Sequence, residues 1–240
     1  GEIYFGGFSQ YAKVSGDFLV KKPKEITSRQ SMILGTAGLT ALQCAFVAKL
    51  TREELLLGEK VQDVIVTGAS GGVGSIAVMI LNKLGCNVTA VTSKDTNHEY
   101  LRSIGAKNFI NTSELTKDSR PLDKGLWDGA VDTVGGQVLA NVLAQTKESG
   151  IIASCGNAAD IKLNTTVMPF IIRGVKLWGI NSVNISTIRR NFLWSEASKL
   201  IDFDLLNNSV KEISLDEVLD IYPKMLKGET SGRYIVDVNK

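Results

Sequence analysis

V-I-V-T-G-A-S-G-G-V-G (residues 64–74) is the stretch on which the reading of this chain turns. Its first three residues are apolar and β-branched, as in a strand buried on both faces. A glycine cluster follows, and then residues 75–84, where Ile76, Val78, Met79, Ile80, Leu81 and Leu84 supply an apolar helical face. Strand, glycine turn and helix form the context in which a G-x-G-x-x-G type of fingerprint carries chemical meaning. The backbone must turn tightly, which favours glycine at positive φ. A pyrophosphate must also reach bare N–H groups at a helix N-terminus, where the dipole favours an anion. Gly71 and Gly74 fill the second and third glycine positions, and Ala69 stands in the first. The plain alternative is a strand-to-helix turn that binds nothing.

Downstream the same rhythm repeats. Apolar runs at 87–91, 108–111, 130–133, 150–155 and 175–181 read as further strands, with helices over 98–104 and 137–146. This alternation predicts an α/β fold with a doubly wound, mostly parallel sheet and helices on both faces. A long helix over 187–203, a strand at 211–215, a helix near 216–226 and a closing strand at 233–238 complete that side. Upstream, residues 8–20 alternate weakly and read as two short strands closed by Pro23. Ser28 is a candidate N-cap for a helix containing Met32, Ile33 and Leu34; a second helix covers 39–50, and a polar connection 51–63. Gly1 stands where a start Met would, and G-E-I-Y-F-G-G-F-S-Q-Y-A reads like the middle of a β domain, so residues are expected to be missing upstream.

Composition narrows the function. The 240 residues are 44% hydrophobic, enough for a sizeable core. A net charge of only +2, with no long basic run, points to neither nucleic acid nor a membrane surface as partner. No apolar run is read as membrane-spanning, and no signal-peptide pattern is seen. Cys44, Cys86 and Cys155 lie far apart without C-x-x-C spacing, and with the single histidine, His98, they make a poor zinc set, so no metal is expected. Buried reduced thiols in a cytoplasmic protein are the simpler reading.

T-G-A-S-G-G-V-G also fits the T-G-x-x-x-G-x-G of short-chain dehydrogenases, which need a Tyr and a Lys four apart. Here Tyr100 meets Ile104, Tyr222 meets Leu226 and Tyr234 meets Val238, so that reading fails. A P-loop fails too, because no Gly-Lys-Ser/Thr follows. The second strand ends Val91-Thr92-Ser93-Lys94. Two hydroxyls and a cation suit a 2′-phosphate and therefore NADP(H). Asp95 is the competing signal, since an acidic residue near this point binds the ribose hydroxyls of NAD.

Together these pieces resemble the medium-chain dehydrogenase/reductase superfamily, in its zinc-free quinone oxidoreductase branch of the YhdH/YhfP type, which includes acryloyl-CoA reductases. The resemblance rests on G-T-A-G-L-T-A (35–41), V-T-G-A-S-G-G-V-G (66–74), H-E-Y-L (98–101), A-V-D-T-V-G (130–135), T-T-V-M-P-F-I-I-R (165–173) and the G-R at 232–233. It implies a Rossmann domain over 36–182 and pieces of a GroES-like catalytic domain over 1–35 and 183–240. That catalytic domain would be incomplete, since the family's first segment, with an N-Y-K-D near the substrate, has no counterpart here. By resemblance, Ser70, Gly71, Gly72, Val73 and Gly74 hold the pyrophosphate, and Thr92, Ser93 and Lys94 the 2′-phosphate. Asn108 lies beside the adenosine, and Thr40, Cys155, Gly156, Asn157, Ile171 and Ser182 line the nicotinamide end. Residue chemistry alone leaves Ile171 as plain core, Cys155 as strand-end packing and Ser182 as a turn former. Arg233 reads equally as a contact for an anionic substrate tail or as a solvated charge, and His98 as a helix-start residue.

The function so implied is NADPH-dependent reduction of an activated C=C bond, such as an acryloyl-CoA-like enoyl thioester, or of a quinone. The substrate is a small molecule, and no catalytic residue is named. The alternatives are a non-catalytic NADPH-binding module on the same fold and a mere folding fragment. The expected apolar edge strand at 175–181 invites pairing, so the sequence also predicts a homodimer with a sheet continuous through both subunits.

Overall fold

The computed structural model describes residues 6–58, 60–118, 120–230 and 232–240. The β-like reading of residues 1–5 lies outside them. In chain order the elements are α1 (Ser28–Ala45), α2 (Arg52–Leu55), β1 (Asp63–Val66), α3 (Gly72–Lys83), β2 (Asn87–Thr92), α4 (His98–Ser103), β3 (Ala106–Asn111) and β4 (Trp127–Asp132). Then come α5 (Gly136–Ala144), β5 (Thr146–Ser154), α6 (Met168–Arg173), β6 (Lys176–Gly179), α7 (Thr187–Leu200), α8 (Phe203–Asn207), β7 (Val210–Ser214), α9 (Val218–Leu226) and β8 (Arg233–Asp237).

β1 to β6 form one parallel sheet in the order β3-β2-β1-β4-β5-β6. This is the doubly wound Rossmann order. Strand alternation sorts the core into two layers. Val64, Val66, Val88, Ala90, Val131, Ile151 and Ala153 face α1 and α3. Ile65, Val91, Ala130 and Ile152 face the opposite way, toward Val138, Leu139, Val142 and Leu143 of α5. A sheet covered on both sides needs apolar residues at every position, which is why β1 reads as an unbroken run rather than as alternation.

Several expectations need correction. Residues 6–20 contain no strand. They hold only a 3-10 turn at Gly16–Phe18, and Phe8, Tyr11, Phe18 and Leu19 are exposed, since no neighbouring strand pairs with this segment. Thr27, not Ser28, caps α1 through a capping box with Gln30. The two expected helices there are one element kinked at Gly35, whose φ of 49° is left-handed, and the helix runs on through a π-helical stretch at Phe46–Thr51 into α2. By length and composition Ser28–Leu55 could cross a membrane, contrary to the expectation that no run would, but 67% of its most apolar window is buried, much of it against α3. The helix expected over 187–203 stops at Leu200, because the Asp202 carboxylate accepts from the N–H groups of Asp204 and Leu205 and starts α8. β7 and β8 pair in parallel as a separate ribbon, while α7 packs on α1 and α3.

Candidate functional site

In an open parallel sheet ligands bind at the carboxyl ends of the strands, where the strand order reverses. Here that point lies between β1 and β4. β1 leads into Thr67 and Gly68, and the positive φ (58°) falls on Gly68 rather than on Ala69. The turn is anchored on both sides, by the Thr67 N–H to the Val131 carbonyl at 3.0 Å and by the Ala69 N–H to the Val91 carbonyl at 3.0 Å. Gly71 is exposed and is the N-cap of α3; no side chain caps the helix, and its first turn holds no acidic residue. A helix start left in this state presents unpaired N–H groups to an anion. Gly74 serves packing instead. A Cβ there would collide with the Gly68 carbonyl, so its lack of a side chain lets α3 close onto the turn.

Ser70, Gly71, Gly72, Val73 and Gly74 are therefore gathered at one helix N-terminus. Next to them runs the end of β2. Thr92 is buried, with its hydroxyl accepting the Lys94 N–H at 3.3 Å, while Ser93 and Lys94 are exposed. The Lys94 ammonium reaches the Gly228 carbonyl at 3.2 Å. The Asp95 carboxylate lies 3.6 Å from Nε2 of His98, which begins α4 and stacks on Phe109. That contact turns Asp95 toward α4.

Asn108 is not brought to this corner. It pairs with Thr89, whereas Asn111 stands opposite Thr92. At roughly 3.3 Å per residue Asn108 sits about 10 Å below the strand ends. The strand begins at Ala106, earlier than its apolar run suggests, and this shifts the register.

The other side of the crevice is built by the loops after β4, β5 and β6. The Cys155 N–H bonds the Asp132 carbonyl at 2.9 Å, and the Ile180 N–H bonds the Ser154 carbonyl at 2.8 Å. Gly156 lies against Thr133, Asn157 is exposed beside Gly135, and Ser182 sits half-buried in a turn that follows β6. The Cys155 thiol is lowered in pKa by the hydrogen bond from Cys44, while Cys44 is raised well above the ordinary thiol range by that contact and by burial. Thr40 is buried in α1 and its hydroxyl bonds back to the Thr36 carbonyl at 2.7 Å. Ile171, by contrast, is 70% exposed on α6.

Arg233 is the residue that sequence reasoning leaves undecided and the structure places. It is half-buried at the start of β8, donating to the carbonyls of Gly72 and, at 3.4 Å, Leu34. Its Nε is buried with no partner among the described residues, and burial lowers its pKa to about 10. The G-R dipeptide is visible in the sequence, but nothing local says that β8 returns to the start of α3. A guanidinium with one N–H unpaired, held beside an uncapped helix start, fits a dinucleotide pyrophosphate. Among the described residues no three His, Cys, Asp or Glu side chains converge as a metal site.

The zinc-binding dehydrogenase family profile matches residues 72–199. The acrylyl-CoA reductase AcuI of Ruegeria pomeroyi is 40% identical over 240 residues, which are 100% of this chain and 72% of that protein. The chain belongs to the medium-chain dehydrogenase/reductase family. Within it, the Salmonella enterica yhdH oxidoreductase in complex with NADP superposes with a TM-score of 0.91 at 41% identity, over 98% of this chain and 71% of that one. The Bacillus subtilis protein yhfP with NAD bound superposes with a TM-score of 0.88 at 38% identity, over 97% of this chain and 70% of that one. Medium-chain relatives thus occur in complex with either nicotinamide cofactor.

Proposed function

We propose that the protein is an NADPH-dependent oxidoreductase that reduces an activated C=C bond, as in an acryloyl-CoA-like enoyl thioester, or a quinone. The observation that carries this reading is the uncapped, acid-free start of α3 at the end of β1, with the unpaired Arg233 Nε beside it and Lys94 at the end of β2. Ser70 to Gly74 and Arg233 hold the pyrophosphate, and Thr92, Ser93 and Lys94 hold the 2′-phosphate. Thr40, Cys155, Asn157 and Ser182 flank the nicotinamide half, with Ile171 at its outer margin. NADPH supplies the hydride when bound; the chain's own work is to orient the cofactor, exclude water and bring the electron-poor carbon into line.

The Rossmann unit is taken as 36–182, with 1–35 and 183–240 as catalytic-domain pieces. The three thiols are free of disulfides and suit the reducing cytoplasm. NADPH should be consumed when acryloyl-CoA or a quinone is added, followed by nicotinamide absorbance. A protein that binds NADPH yet consumes it with neither would be a binding module instead.

The assembly is read as a homodimer through β6. Every residue of this edge strand is exposed, including Leu177 and Trp178, and Ile171 and Ile172 of α6 add apolar surface nearby. An open apolar edge favours strand pairing across a two-fold axis. Light scattering should give a dimer that Leu177→Pro dissociates; a monomer unchanged by that substitution would refute it.

A further inference from the structure

Asp132 ends β4 with no exposed surface, and the cofactor contacts proposed above make no use of it. Its surroundings are unusual in that every polar neighbour donates to it. The Thr67 hydroxyl donates to Oδ1 at 2.7 Å. The Gly135 N–H approaches Oδ2 at 3.1 Å and Oδ1 at 3.4 Å, and the Val134 N–H lies 3.4 Å from Oδ1. The Ser154 hydroxyl donates to Oδ2 at 3.3 Å. The same residue's backbone carbonyl takes the Cys155 N–H at 2.9 Å and the Cys155 thiol at 3.5 Å.

These donors come from three different strand ends. Thr67 opens the glycine turn after β1, Val134 and Gly135 belong to the loop after β4, and Ser154 closes β5. Thr67 is interlocked further: its hydroxyl accepts the Thr133 N–H at 3.0 Å, and the Thr133 hydroxyl donates to the Thr67 carbonyl at 3.0 Å. The packing leaves no slack. A Cβ on Gly68 would collide with the Thr133 hydroxyl, and one on Gly156 with the Thr133 carbonyl. Burial raises the pKa of the Asp132 carboxyl, so its placement carries a desolvation cost. A buried acid is weak evidence for stability, since an apolar contact fills the same space at lower cost. What an apolar residue cannot do is hold three strand ends at fixed spacing through directional bonds.

We propose that Asp132 is a positioning residue that sets the distance between the two lips of the crevice, and so keeps the nicotinamide half of the cofactor in register with the phosphate half. The inference rests on the cofactor assignment made under Proposed function. Thr67 and Gly68 carry the phosphate lip. Ser154, Cys155 and Gly156 carry the nicotinamide lip. One carboxyl binds both.

A merely structural role and a positioning role differ in what they do to ligands of different span. NADPH crosses the crevice; 2′,5′-ADP, which has the adenosine and the 2′-phosphate but no nicotinamide, sits on one lip. Asp132→Asn keeps the shape but removes the charge and sets an amide N–H2 against the Gly135 N–H or a hydroxyl that must reverse, so the carboxyl's grip on the lips loosens. Calorimetric titration should show NADPH weakened about tenfold or more, the loss expected when a hydrogen bond to a charged group is removed, with 2′,5′-ADP within about twofold of wild type. Equal losses for both ligands, or none for either, would overturn the positioning role. Should Asp132→Asn fail to fold, Ser154→Ala removes only the Oδ2 link from β5. It should weaken NADPH several-fold and leave 2′,5′-ADP unchanged, and parallel behaviour of the two ligands would again overturn the role. Wild type that binds neither ligand would overturn the cofactor assignment itself, a result separable from any behaviour of the variants.

Discussion

The two ends of the six-stranded sheet are finished in opposite ways. At the amino end charged side chains satisfy one another. The Asp128 carboxylate accepts the N–H groups of Gln62 and Asp63 at 3.1 and 2.9 Å and faces Lys147 at 3.3 Å and Arg52 at 3.8 Å. Lys147 also bonds Asp63 at 2.9 Å, which lowers the Asp63 pKa, and Lys49 pairs with Glu53. At the carboxyl end the helix start has no side-chain cap, and among the described residues the Lys94 ammonium is held only by a carbonyl. Charges that cancel internally close a surface, and donors left over point to an acceptor that arrives from outside. The uncapped helix start lies at the same end of the sheet as the glycine turn.

If the amino end serves stability alone, Asp128→Ala should have the largest effect on folding and none on binding. It leaves Arg52 buried with one ion-pair partner fewer and strands two backbone N–H groups, a loss of about 3–5 kcal/mol. Chemical denaturation should show it, while the folded fraction binds NADPH as before. A fall in NADPH affinity beyond about twofold would mean that the two ends are coupled.

A smaller and more selective effect is expected at Lys94. A charge-assisted contact to a 2′-phosphate contributes about 1.5–3 kcal/mol, so Lys94→Ala should weaken NADPH by about ten- to a hundredfold and leave NADH almost unmoved. If Asp95 instead holds the ribose hydroxyls, wild type prefers NADH and Asp95→Ala is the damaging change. Titrating both cofactors into the three proteins decides between the two residues.

The centre of the sheet is legible in the sequence because local and global signals agree there. β1 and α3 combine a buried apolar run, glycines and an apolar helical face, and each points to the same fold. Legibility fails where a residue's meaning depends on distant chain. Asn108 and Asn111 look alike in sequence, and only the pairing with β2 shows that Asn111 reaches the strand end. Arg233 and Gly72 are brought together by the return of β8, which no periodicity encodes. Residues 8–20 carry an alternating pattern, but alternation describes a strand only where a partner strand pairs with it. Asp132 stands within A-V-D-T-V-G, yet its link to Thr67 and Ser154 emerges only when three strand ends meet.

The central claim is that the glycine turn after β1 is an open pyrophosphate site and not a packing device. Gly71 tests it best, because its φ of −79° suits any residue and a Cβ there stands 3.2 Å from the Gly68 carbonyl, close but without the collision met at Gly74. The measurement is a calorimetric titration of NADPH into wild type and Gly71→Val, with thermal unfolding of each unliganded protein alongside. The account predicts a melting temperature within a few degrees of wild type and an affinity at least about a hundredfold weaker, since the branched side chain occupies the space of the phosphates. Equal affinity in the two proteins would contradict it.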